Sequence, residues 1–141
     1  MKTGRYNVGL GLLVMGGFML YGFLLIYLRD FAPDKEAWVA SYSVGKHFEA
    51  RLAHVHGNLF ALLNLVLGFV LARLGSASDR ARTTAAALGL AGLLMPLGIL
   101  GEVYLGLSPV FVLLGAVAMT ASVVFSGVLA LRHWGVPEVT P

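Results

Sequence analysis

Four long apolar runs separated by short polar stretches organise this chain: Val8 to Leu28, Leu52 to Leu74, Thr83 to Leu105 and Pro109 to Leu131. Each approaches the roughly 20 residues that a helix needs to cross a hydrocarbon layer about 30 Å thick. None shows the strict apolar-polar alternation, over about ten residues, of a membrane barrel strand. The pattern therefore predicts an all-α fold, an integral membrane bundle of four transmembrane helices forming a single domain over 1–141. The helices are expected at about 8–28, 52–74, 83–105 and 109–131, with a loop over 29–51.

The polar breaks refine this outline. The 29–51 stretch carries Pro33, Trp38, Tyr42 and His47, and its aromatic rings suit the headgroup layer where amphipathic rings settle. In Gly75-Ser76-Ala77-Ser78-Asp79 the Ser and Asp favour capping the next helix. Gly106-Leu107-Ser108-Pro109 reads as a tight reversal, with Ser108 as N-cap and Pro109 at the first helical position. Pro96, with Gly92, Gly98 and Gly101 nearby, predicts a kinked third helix. Glycines 9, 11, 16, 17 and 22 let the first helix approach its neighbours closely, as small residues do in lipid. The tail after Arg132, with Pro137 and Pro141, is expected to be frayed.

Composition agrees with a membrane location. Hydrophobic residues make up 58% of the chain and charged residues 12%, against about 25% charged in ordinary soluble domains, and the mean hydropathy is +0.83. The first run resembles a secretory signal in following Lys2 and Arg5. Its core is too long for one, however, and no small-residue cleavage site follows at Arg29-Asp30-Phe31, so it reads as a retained helix. Placing the N-terminus in the cytoplasm puts Lys2, Arg5, Arg73, Arg80, Arg82 and Arg132 on that side and Arg29, Lys35, Lys46 and Arg51 on the other. That bias predicts an inner or plasma membrane protein with both termini cytoplasmic. The net charge of +3 forms no clustered basic stripe, so no nucleic-acid partner is implied.

The chemistry-bearing residues are few. There is no cysteine, which removes disulfides, thiolate catalysis and Cys-bound metals. His54 and His56 open the second apolar run, and a ligand-type side chain near hydrocarbon is a functional-site hypothesis by default. At about 100° per residue, His54, Gly57, Asn58, Ala61, Asn64 and Gly68 share one small, polar sector, while His56 sits about 200° round from His54. The His-x-His spacing thus splits the two imidazoles, unlike the His-x-x-x-His spacing that directs two onto one metal. A single axial histidine supporting a haem needs only one imidazole, and a face of Gly57, Asn58 and Ala61 beside His54 suits a planar macrocycle. Bland readings stand beside these. His56 serves equally as an interfacial hydrogen-bonding group, Asn58 and Asn64 as interhelical glue, and Glu102, near Tyr104, as a solvated carboxylate instead of a group facing His54.

Several segments resemble the membrane-bound styrene oxide isomerases, small four-helix proteins: Gly9-Leu10-Gly11-Leu12-Leu13, Ala53-His54 with the apolar run ending at Leu74-Gly75, and the corner from Tyr104 to Ser108-Pro109. The resemblance implies haem b ligated by His54 at a subunit interface of a trimer, with His56, Gly57, Ala61 and Asn64 around the cofactor. It further implies ferric iron acting as Lewis acid on a small apolar epoxide, with Asn58, Tyr104 and Glu102 positioning substrate or water. The chain departs from the family pattern in having Leu10 in place of a histidine and Phe60 in place of an asparagine. A gapless alignment from Pro109 also puts Glu102, not Tyr104, at the family's tyrosine. The rival expectation is a non-enzymatic accessory subunit of a membrane respiratory or transport complex, using its glycine-rich faces for partner helices. A transporter is disfavoured because one copy offers no inverted repeat and no charged pathway.

Overall fold

In the computed structural model, which describes residues 4–135, every regular element is a helix. These are α1 (Arg5–Asp30), α2 (Lys35–Ala40), α3 (Lys46–Arg73), α4 (Asp79–Gly92), α5 (Leu94–Leu105) and α6 (Val110–His133). Four helical spans are long and apolar enough to cross a membrane, α4 and α5 together forming the third. The protein is a four-helix integral membrane bundle. An even number of crossings returns Gly4 and Gly135 to one side, and α2 lies at the other, distal side. Lys2, Pro137 and Pro141 fall outside the described residues.

α3 is the central helix, flanked by α1 on one side and α4 and α5 on another, and α6 completes the bundle against α4 and α5. It begins at Lys46, six positions earlier than the apolar run at Leu52, so the polar end of the expected loop is helical. His47 explains the extension. Its ring stacks on Trp38 at 4.6 Å and meets Tyr42 edge-on at 5.3 Å, and its Nδ1 donates to Trp38 O at 2.8 Å. The connecting segment is thereby pinned onto the first turn of α3.

The ends follow local chemistry. Ser78 caps α4, its hydroxyl accepting from Ala81 N at 3.3 Å, as its place before Asp79 implies. α5 closes on Gly106 at φ 66°, a left-handed conformation that glycine adopts without a Cβ clash. α6 starts at Val110, with Pro109 in the capping position. Ser108 Oγ still accepts from Val110 N at 3.3 Å, so the expected cap is displaced by one residue.

The expected kink is a full break. Pro96 has no N–H to give Gly92 O, and Leu93 N turns to Leu90 O at 3.1 Å in place of Gly89 O. Asn64 fills the gap left at Gly89: its Nδ2 donates to Gly89 O at 2.9 Å and to Phe60 O at 3.0 Å. Asn64 Oδ1 accepts from Asn7 Nδ2 at 2.9 Å, and Asn7 also reaches Ala86 O at 2.9 Å. Ser122 Oγ bonds Ala85 O at 2.7 Å. These bonds tie α1, α3, α4 and α6 together in the interior, where lipid offers no substitute partner.

Small residues set the helix spacing. A Cβ on Gly11 would stand 2.9 Å from Ala61 O, and one on Gly68 2.8 Å from Gly4 O, so α1 and α3 run antiparallel nearly backbone to backbone. Gly115 brings α6 equally close to α5 at Leu94 and Met95. Without a hydrophobic drive between helices in lipid, this close packing is what holds such spans together.

Candidate functional site

The distal halves of α1, α3 and α5 carry the site residues. His54 is half-buried, its ring against α1 where Gly22 leaves space; a Cβ there would stand 2.7 Å from Cε1 and 3.3 Å from Nε2. Its Nδ1 is buried and has no hydrogen-bond partner among the described residues. The other three histidines differ. Nδ1 bonds Trp38 O in His47, Leu52 O at 2.9 Å in His56 and Ser76 Oγ at 3.3 Å in His133. A buried unpaired polar atom costs about 1–3 kcal/mol, and of the four histidines His54 is the one that carries such an atom among the described residues.

His56 lies on the other flank of α3, beside Phe60 at 6.2 Å between ring centroids. The structure does not bring the two imidazoles to one site, as the helical spacing requires. Asn58 is half-buried one turn from His54 and donates to the His54 carbonyl at 2.9 Å. The Glu102 side chain is exposed and makes no hydrogen bond or ion pair among the described residues. No cluster of three or more metal-ligating side chains forms among the described residues, whereas an axial haem ligand needs only one imidazole.

The expected slot for a planar ring needs correction. On the Gly57–Ala61 face the planar ring present is that of Phe18, seated directly on Gly57. Ala61 is 0% exposed under Gly11, and Asn64, also 0% exposed, is saturated by the bonds described above. Gly57, Ala61 and Asn64 thus serve the α1–α3 and α3–α4 seams. Val55, Leu59 and Leu62, on another side of α3, are exposed.

Tyr21 is a candidate site residue that the apolar pattern hides. Its ring stands 6.4 Å from that of His54, and its hydroxyl is 2.9 Å from the hydroxyl of Tyr104 on α5. The available signal is its type: a tyrosine inside an apolar helix needs a partner for its O–H. Tyr21 also lines, with Val14, Gly17, Phe18, Leu97 and Leu100, an apolar cavity of about 210 Å³ between α1 and α5. Phe18 and Tyr21 meet edge to face at 6.3 Å. This volume falls below the roughly 300–1,000 Å³ of sites for drug-sized ligands and suits a small molecule. The arrangement is an apolar cavity lined in part by Tyr21, whose hydroxyl meets that of Tyr104 and whose ring lies near the unpartnered imidazole of His54.

These features define a helical membrane protein with a small apolar site beside an unsatisfied histidine. Comparison with protein-family models, curated proteins and solved structures finds no match.

Proposed function

We propose that the protein binds haem b through His54 and isomerises a small aryl epoxide to an aldehyde. The observation that carries this reading is the buried, unpartnered Nδ1 of His54 in a bundle whose other histidines are bonded. The resemblance of Ala53-His54 and the Tyr104 corner to styrene oxide isomerases supplies the reaction class. The donor type fits: an imidazole is a normal axial ligand and needs no second protein ligand beside it. Bound iron would supply Lewis acidity toward the epoxide oxygen.

The chain's own residues account for the rest. The Tyr21–Tyr104 hydroxyl pair offers an O–H to the oxygen on which negative charge develops as the C–O bond breaks. The faces of Phe18 and Tyr21 stabilise the positive charge left at the benzylic carbon. A hydrogen then shifts to that carbon with its electron pair and the carbonyl closes, with no proton gained or lost overall. The apolar walls exclude the water that would otherwise divert the reaction to a diol.

In this proposal the termini are cytoplasmic, following the distribution of Lys and Arg. The edge beside His54 meets a second copy in a homo-oligomer. Gly9, Gly16 and Gly17 of α1, with nothing within 4 Å of a Cβ at any of them, support such close helix association.

The test is turnover of styrene oxide by detergent-purified protein, followed as aldehyde formation. Tyr104→Phe is expected to lower the rate on the order of 10²-fold, the scale for loss of one donor to a developing oxyanion, with haem content unchanged. No aldehyde from haem-replete wild type, or full activity in both Tyr104→Phe and Tyr21→Phe, overturns the isomerase reading.

A further inference from the structure

At the distal surface a second cavity, about 240 Å³, opens between the ends of α1 and α3. It is lined by Leu25, Ile26, Arg29, Tyr42, His47 and Arg51. Its two halves differ in chemistry: Leu25 and Ile26 belong to the lipid-crossing part of α1, and the other four form a cationic and aromatic rim. We propose that this cleft binds the phosphodiester of an anionic phospholipid, with an acyl chain lying along Leu25 and Ile26.

The charge arithmetic at the rim favours a monoanion. Arg29 is already matched, its Nε and Nη2 donating to both carboxylate oxygens of Asp30 at 2.9 and 2.7 Å. Arg51 has no carboxylate within 4 Å among the described residues. One uncompensated cation remains, which a phosphodiester with a single negative charge neutralises. A zwitterionic headgroup brings its own cation and gains less.

Arg51 is also fixed in place before any ligand arrives. Its guanidinium lies 3.7 Å from the centroid of the Tyr42 ring, and Nη1 donates to Tyr42 O at 3.2 Å. Of its five N–H donors only that one is used among the described residues, so the rest of the fork is available to a phosphate. The wall opposite is equally rigid, because His47 is 3% exposed and clamped between Trp38 and Tyr42. A site whose side chains are ordered in advance loses little entropy on binding. The apolar floor separates a lipid from free phosphate, since it gives an acyl chain a surface that an inorganic anion does not use. This proposal is independent of what binds at His54.

Native mass spectrometry of the delipidated, detergent-purified protein tests it, with dioleoylphosphatidylglycerol, dioleoylphosphatidylcholine and inorganic phosphate as separate additions. The expected result is preferential retention of phosphatidylglycerol. Arg51→Gln should weaken it about fivefold, the scale of one basic side chain near an anionic headgroup. Arg80→Gln, the same charge change on the opposite side of the bundle, should leave it intact, and Ile26→Trp, which fills the floor, should weaken it even if Arg51→Gln does not fold. Equal retention of the two lipids, or equal loss in Arg51→Gln and Arg80→Gln, overturns the site. Displacement of the lipid by millimolar phosphate shows a free-anion site and overturns the lipid assignment.

Discussion

Gly115→Leu is expected to prevent assembly of the bundle, giving aggregated protein with no cooperative melting transition in mild detergent. The hydrogen that marks Gly115 points at α5, where a Cβ would stand 2.7 Å from Met95 Cα and closer still to its backbone nitrogen. Those are backbone atoms, so no rotamer change relieves the contact and α6 must move as a body. Moving it unseats Met119 from Gly92 and Val112 from Gly98, the neighbouring close contacts of the same seam. Overpacking a well-packed core costs about 1–3 kcal/mol per site, occasionally more, and here three contacts are lost together. Gly127→Leu, on the same helix with nothing within 4 Å of the added Cβ, is the control and should melt like wild type. A normal transition in Gly115→Leu would show that the α5–α6 approach is not as described.

Asn64→Leu is the second large effect. Interhelical hydrogen bonds in membranes average only about 0.6 kcal/mol, because a separated helix finds other partners. Asn64 is an exception with a structural cause. The break before Pro96 turns Leu93 N away from Gly89 O, and the Asn64 amide supplies the donor that the helix lost. Leucine keeps the number of side-chain heavy atoms and the branch point but leaves that carbonyl unpaired in hydrocarbon and takes one acceptor from Asn7. The expected loss is about 1–3 kcal/mol, read as a lower midpoint in detergent-denaturant unfolding. Asn58→Leu removes only a bond to its own helix at His54 O and should cost well under half as much. Equal effects of the two substitutions would contradict the role given to Asn64.

How far the sequence discloses this architecture depends on which helix is considered. The four spans are legible because lipid demands unbroken apolar length, and the Ser78 cap because a hydroxyl before Asp79 has few other uses. The face shared by Gly57, Asn58, Ala61 and Asn64 is legible from angular spacing alone. What that face meets is not, since periodicity groups residues on a helix without naming the helix opposite. Phe18 and Gly11 fill the ground expected for a macrocycle, and nothing in their own pattern distinguishes them from lipid-facing neighbours. The early start of α3 is hidden for another reason: Lys46 to Arg51 lies outside the apolar run, and the stacking of His47 with Trp38 and Tyr42 that holds this turn is a tertiary contact. Tyr21 is missed because its significance lies in one hydroxyl meeting Tyr104 across 83 positions of sequence.

Haem binding is proposed through His54 as the iron ligand, and the visible spectrum of the purified protein tests that most directly. Wild type and His56→Ala are expected to show a Soret band, because the His56 ring is held by Leu52 O on the other flank of α3. His54→Ala should lack the band while remaining folded. Absence of a Soret band in wild type, or an unchanged band in His54→Ala, would contradict the account.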